Sequence, residues 1–416
     1  MIQMEGQSHI QISRLKTRME KMAQIGATVR GGVSRLALTD QEKEARTLFI
    51  QWLKESNLEV RVDDFGNIYG RLEGKDPSAS PVMTGSHLDT VPKGGKFDGT
   101  LGVLAALEAI ETIKESGIKP VRPVEIVSFT NEEGARFAPQ MLGSGAITGK
   151  FSKEYVYHRT DQHGITFQSE LERIGYLGEE KNRPGKIASF IELHIEQGPI
   201  LEKENISVGI VEGIAGFTWL EVTLSGQSDH SGSTPMTMRK DSLVAASAII
   251  QEIYNWAMAK QDGTVATVGK VRTVPGIINA IPGETAFSID IRNPNPVQLT
   301  ACVEEVKEII IRISNENHID YKMDKIGSNE PVHFSPYLID TLEKVCKEIQ
   351  QPYKKMISGA GHDSMYINQV TDTVMIFVPS KDGKSHCEEE HTSWDDIEKG
   401  VNILYQALCR LVTSND

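Results

Sequence analysis

The chain predicts an α/β fold with a ferredoxin-like α+β domain inserted into it, and three observations carry that prediction. Apolar runs alternate with helical repeats from about Pro81 to Pro199, and the runs end in polar clusters. From about Val211 to Lys325 the rhythm changes to strands with one wet face and two long helices. After about Glu330 the first rhythm returns. Chemistry at the ends of strands is how open α/β sheets build sites, because the loops there splay apart and leave a crevice.

Each element has its own signal. Pro81-Val82-Met83-Thr84 reads as a buried strand running into His87. Leu104, Leu107, Ile110 and Ile113 recur at helical spacing, with Gly117 as a stop, and predict a helix over 102–117. Val124 to Phe129 and Ser189 to Ile195 read as further buried strands. In the second region Leu220, Val222 and Leu224 alternate with Glu221 and Thr223, as in a half-buried strand. Asp241 predicts the cap of a helix that runs to about Lys260. Thr264 to Thr273 and Glu284 to Arg292 read as two strands, Val297 to Asn315 as a helix and His318 to Lys322 as a last strand. That order, β-α-β-β-α-β, is the ferredoxin-like one. Tyr337 to Gln350 predicts a helix, Val374 to Val378 a buried strand and Trp394 to Val412 a closing helix. The expected layout is a discontinuous catalytic domain, 1–211 with 330–416, and an inserted domain, 212–329. Two linkers between them suit a double hinge.

Bulk properties narrow the function. The 416 residues suffice for two or more domains, and a net charge of -13 argues against a general nucleic-acid binder. Cys302, Cys346, Cys387 and Cys409 are too scattered for a disulfide scaffold and form no Cys-x-x-Cys pair. Glu5, Gln7 and His9 interrupt any apolar leader, and no apolar run is long enough to span a membrane. The expectation is a cytoplasmic protein with reduced thiols.

Three polar clusters carry the chemistry. They are Gly85-Ser86-His87-Leu88-Asp89-Thr90, Phe97-Asp98-Gly99 and Thr130-Asn131-Glu132-Glu133-Gly134. An imidazole, several carboxylates and tight glycine turns are what a divalent-metal hydrolase site needs. Asp98, short and on a tight turn, suits a carboxylate shared by two ions. His87 and Glu133 would each hold one ion, with His194 and His386 completing the pair. Glu132 suits a general base, because adjacent residues leaving a strand point different ways. Asp89 is expected to accept the second N–H of the His87 imidazole. Taken singly each has a plainer reading, a hydrogen-bonded structural His or a solvated Glu pair; three clusters at strand ends outweigh it. In the inserted region His230 lies on a loop, Asn279 in a turn, and Arg292 at a strand end. Arg292 suits a substrate carboxylate, and a simple pairing with Asp290 is equally compatible with the sequence. Gly359-Ala360-Gly361-His362-Asp363 lets backbone approach a ligand, or merely turns into a helix.

Together with Glu192-Leu193-His194-Ile195-Glu196-Gln197-Gly198, Asp229-His230-Ser231-Gly232, Asn279-Ala280-Ile281-Pro282 and Ser385-His386, these motifs resemble the hydantoinase/carbamoylase-type amidases. That group is a branch of the dinuclear metallopeptidases, and the likeness covers nearly the whole chain. The resemblance implies a mixed-sheet dinuclear metallohydrolase domain with an inserted domain that serves as dimerisation module and lid. It implies two divalent ions per subunit, zinc or manganese, cobalt or nickel. Asp98, His87 and His194 would hold one, and Asp98, Glu133 and His386 the other. Glu132 would be base and acid, and Gln197, His230, Asn279, Arg292 and Gly361 the substrate shell, part of it from the partner of a homodimer. One departure is plain: after His386 the run Cys387-Glu388-Glu389-Glu390 keeps a glutamate but lacks the usual proline, so that loop is expected to sit differently.

The implied reaction cleaves the terminal C–N bond of a small ureido acid. An N-carbamoyl-L-amino acid is the first choice, giving the L-amino acid, carbon dioxide and ammonia. Leu88 and Phe97 tilt the resemblance that way. The rivals are an allantoate amidohydrolase, an aminoacylase or peptidase, and a binding protein with a degenerate site. The complete set of ligands and base argues against the last.

Overall fold

Four strands that end in or near polar clusters lie side by side and run parallel. The computed structural model describes residues 10–413; Glu5, Gln7 and His9, read above for a leader, lie outside them. In order across the sheet the parallel strands are Val124–Phe129, Val82–His87, Ser189–Ile195 and Asp372–Val378. Antiparallel strands extend both edges: Ile68–Leu72 and Glu59–Val62 on one side, Gly209–Ile214 on the other. The sheet is therefore mixed. Its inner strands are buried on both faces, which is why they read as unbroken apolar runs.

Helix Thr100–Glu115 packs on one face and is covered in turn by Trp394–Thr413 and Ile12–Gln24. Leu101, Leu104, Leu107 and Ile110 on that helix are fully buried. On the other face Met83, Val127, Phe129 and Phe190 share a cluster with Tyr69 and Ile367. Each fully buried side chain of this size contributes about 1.5–3 kcal/mol, so the sheet is a stiff base for whatever its strand ends carry. The helix begins at Thr100, two residues before the predicted start, because Gly99 supplies a left-handed N-cap at φ 59°.

Contacts divide the chain into two units, one running up to Glu212 and from Phe334 onward, the other Gly213–His333. The second unit is an antiparallel sheet ordered Asp320–Asn329, Gly216–Ser225, Glu284–Asn293, Val265–Thr267, with Val271–Val274 also on Glu284–Asn293. Helices Ser242–Ala259 and Pro296–Glu316 pack against it around Leu220, Val222, Phe287, Ile289 and Val306. Asp241 caps the first helix, accepting the N–H groups of Leu243 and Val244. Two expectations need correction. The strand predicted over 264–273 is two short strands, broken over 268–270 where Lys270 turns its carbonyl to the N–H of Ser288. The last strand runs on to Asn329, well past Lys322. Among the described residues no helix is long and apolar enough to cross a membrane. All four cysteines are free thiols.

Gly85 shows how tightly the His87 strand is held. Its φ is 153°, and a Cβ there would fall 1.9 Å from the carbonyl oxygen of Val127 on the neighbouring strand. Gly85→Ala is therefore expected to cost about 2–4 kcal/mol, read as a lowered urea midpoint; unchanged stability would show that the strands separate freely.

Candidate metal centre

The carboxyl ends of the parallel strands bring the polar clusters together. His87 closes its strand, and His194 is the penultimate residue of another. Glu132 and Glu133 follow Phe129, and His386 follows Val378 on a loop. Asp98 sits on the turn that opens helix Thr100–Glu115. Gly99 makes that turn possible, since a Cβ there would lie 2.3 Å from the His87 ring.

Asp98 is the centre of the arrangement. Its Oδ1 is 3.5 Å from His87 Nε2 and 3.2 Å from His194 Nε2. Its Oδ2 is 3.3 Å from His386 Nε2, which is 3.4 Å from Glu133 Oε2. Two groups able to hold a metal ion thus share one carboxylate: His87, Asp98, His194, and Asp98, Glu133, His386. The two strand histidines are oriented by backbone. His87 Nδ1 is 2.9 Å from the carbonyl oxygen of Asp89, and His194 Nδ1 is 3.0 Å from that of Ile195. A carbonyl only accepts, so each Nδ1 carries its hydrogen and each Nε2 faces Asp98.

The electrostatics favour cations. Burial pushes Glu133 up to about 8, with Asp98 adding to the effect. Burial also raises Glu132 well above the usual carboxylate range, against the pull of His87 and with Asp363, Glu133 and Asp98 adding to it. Burial would raise Asp98 too, yet hydrogen bonds from His194, His386 and His87 hold it well below its ordinary value. The hydrogen bond to Asp98 raises His386 to about 9. A cluster of buried carboxylates and imidazoles that favours positive charge at each nitrogen fits the nitrogen and oxygen donor set of divalent metal ions.

Asp89 requires a correction. The strand ends at His87, and the turn beyond it offers the ring the Asp89 carbonyl; the carboxylate stays 3.9 Å from Nδ1. The carboxylate instead accepts the N–H groups of Glu132 and Glu133, each at 3.2 Å. It holds the loop that carries the two glutamates. Glu132 Oε2 lies 3.4 Å from His87 Nε2, at the edge of the first ligand group.

The expected substrate shell is divided. Gln197 belongs to the cluster itself: its Nε2 donates to Asp98 Oδ2 at 2.8 Å and lies 3.3 Å from Ser385 Oγ. Gly361 packs against Gln140, whose Nε2 a Cβ would approach to 2.9 Å. His230 and Asn279 are neighbours in the second unit, where the Ser231 N–H donates to the Asn279 carbonyl at 3.1 Å. His230 Nδ1 accepts the N–H groups of Gly232 at 3.1 Å and Ser233 at 3.3 Å, which leaves its exposed Nε2 as a donor. Arg292 lies near the far end of strand Glu284–Asn293, its guanidinium 2.7 Å from Asp290. Eight residues of strand separate it from Glu284 by roughly 26 Å. Leu88 and Phe97 are buried, and Phe97 packs edge-on against His391 and Trp394.

Sequence reasoning gave no role to several groups that the structure places here. Glu390 accepts the N–H groups of Phe97 and Asp98. Glu192 accepts from the Ser86 and Ser364 hydroxyls and groups with His194 and His362. Asp363 is buried on the Ser144 hydroxyl. The signal was present for each, since all three stand inside the quoted motifs or just beyond them.

The chain is similar in sequence and fold to known proteins. The profile of Peptidase family M20/M25/M40 matches residues 83–410. An N-carbamoyl-L-amino-acid amidohydrolase of Rhizobium meliloti is 40% identical over 399 residues, 96% of each chain. An allantoate amidohydrolase of Bacillus subtilis is 37% identical, covering 94% of this chain and 96% of its own. The crystal structure of a hydantoinase/carbamoylase family amidase from Burkholderia multivorans superposes with a TM-score of 0.95 at 39% identity, over 98% of this chain and 100% of that one. On matches of that extent, the chain belongs to peptidase family M20/M25/M40, in its hydantoinase/carbamoylase amidase branch.

Proposed function

We propose that the chain is a metal-dependent amidohydrolase that cleaves the ureido C–N bond of N-carbamoyl-L-amino acids. The observation that carries this is the division of one carboxylate, Asp98, between two groups of ligands. His87 and His194 would hold one divalent ion with Asp98, and Glu133 and His386 the other. Nitrogen and oxygen donors without a thiolate suit zinc, manganese, cobalt or nickel. Such ions, when bound, polarise a carbonyl and make water acidic near neutral pH.

The chain's own residues supply the rest. Glu132, buried beside His87, takes the proton of the attacking water. The water oxygen bonds to the ureido carbon, and the bond from that carbon to the terminal nitrogen breaks. Glu132 returns its proton to that nitrogen, which leaves as ammonia. The remaining carbamic acid loses carbon dioxide and frees the amino acid. His230 Nε2–H suits the oxygen on which negative charge develops. Arg292 and Asn279 suit the substrate carboxylate. Arg292 and the His230–Asn279 pair stand at opposite ends of one strand, so a small substrate cannot touch both in one chain. That separation supports a shell drawn from two copies. The exposed Leu243, Val244, Tyr254 and Met258 on helix Ser242–Ala259 support a homodimer through the inserted unit. Four free thiols suit a reducing compartment, in keeping with the cytoplasm.

The second reading is an allantoate amidohydrolase, favoured by the Bacillus subtilis relative. Ammonia release measured in parallel on N-carbamoyl-methionine and allantoate separates the two. Turnover of the carbamoyl amino acid is expected, and activity on allantoate alone overturns the choice. Turnover of an N-acetyl or dipeptide substrate, with ureido acids inert, would point to an aminoacylase or peptidase. Glu132→Gln is expected to keep its metal and lose about 100-fold or more in kcat, checked by metal analysis and kinetics on one preparation. Metal uptake is also expected to release protons at pH 7, because His386 at about 9 and Glu133 at about 8 must lose them to bind. Affinity therefore rises as pH approaches 9. Calorimetry in buffers of different ionisation heat checks this, and uptake without proton release would contradict it.

A further inference from the structure

We infer that Glu390 is a positioning residue for the metal centre, tying the Asp98 turn to the loop that carries His386. The inference deepens the two-ion reading and rests on it. Glu390 is buried, and its Oε1 accepts the N–H groups of Phe97 at 2.9 Å and Asp98 at 3.1 Å. Its Oε2 is 3.0 Å from Ser385 Oγ, which is itself 3.0 Å from Asp98 Oδ2. One carboxylate thus holds the backbone of the shared ligand and the residue just before His386. The turn wraps closely on it, since a Cβ at Gly95 would lie 1.9 Å from the Glu390 carboxyl.

His386 needs such support more than the other histidines. His87 and His194 lie within a buried sheet. His386 stands on a loop, with its side chain 52% exposed and its backbone in the left-handed region at φ 54°. The loop also has Glu388 instead of a stiffening proline. That glutamate accepts the Thr28 hydroxyl at 2.5 Å, and its Cγ leaves 2.8 Å for a Cβ at Gly32. Glu390 from within and Glu388 from outside therefore do by hydrogen bonding what a fixed φ does in a proline loop. Groups that orient ligands in this way typically contribute 10–100-fold in metal affinity.

The experiment is a titration of the full chain with Mn2+, with free Mn2+ read by its paramagnetic resonance. Wild type is expected to take up two ions. Glu390→Ala should bind the ion that His386 helps to hold about 10–100-fold more weakly and the other, through the shared Asp98, more weakly by a smaller factor, and excess Mn2+ should restore kcat. Glu390→Gln keeps an accepting oxygen for the two N–H groups and offers its amide to Ser385, so it should stay close to wild type. Two wild-type affinities in Glu390→Ala would overturn the inference. So would an equal loss in Glu390→Gln, which would assign the effect to charge. If circular dichroism shows Glu390→Ala unfolded, Ser385→Ala decides: one weakened ion supports the tether, and unchanged binding overturns it. Uptake of one ion or none by wild type would instead refute the two-ion reading and this inference with it.

Discussion

Asp98 presents one oxygen to two histidines and the other to a third, and the centre depends on that division. A buried carboxylate unmatched by positive charge would be unstable. The fold meets this requirement by aiming imidazole nitrogens at it from two strands and a loop far apart in sequence. Parallel strands make the convergence possible, because their carboxyl ends all emerge on one edge of the sheet. A sheet of alternating direction would send half of these groups to the opposite edge.

Around this centre, ionic side chains hold backbone in place. Asp89 grips the N–H groups of the Glu132–Glu133 loop, and Glu390 those of the Asp98 turn. Arg35 does the same with opposite polarity. Its buried guanidinium donates to the carbonyls of Leu88, Met22 and Ile25 and to the Thr100 hydroxyl, joining the turn after His87 to the helix after Asp98. Burial pushes that guanidinium down to about 10, with Glu42 and Asp89 partly offsetting it. Charge–backbone hydrogen bonds of this kind, about 1.5–3 kcal/mol each, fix loops that have no ladder of their own.

The sequence announced what periodicity and strand ends can announce. Val124–Phe129 and Ser189–Ile195 were legible to the residue, because a strand buried on both faces is an unbroken apolar run. The order of elements in the inserted unit was legible from one-sided strands and capped helices. The break over 268–270 was not, since Val268 and Gly269 interrupt no apolar pattern. The strands Glu59–Val62 and Ile68–Leu72 went unread because they are short, four and five residues, and carry polar residues among the apolar ones. Asp89 was placed near His87, but whether carbonyl or carboxylate meets a ring depends on turn dihedrals that residue types do not encode. Arg292 stayed open between ligand and ion-pair roles, and its contact with Asp290 shows the pairing that the sequence allowed.

The order of strands also bears on how the chain is made. Asp372–Val378 lies between Ser189–Ile195 and Gly209–Ile214, so a middle slot of the sheet is filled by a segment synthesised after both neighbours and after the whole inserted unit. Until the ribosome has released it, Ser189–Ile195 has an unpaired edge, and the inserted unit has already emerged whole. The nascent protein therefore carries a sticky, half-built sheet while the inserted unit is being made. His386 and Glu390, which follow that strand, arrive only when the gap closes.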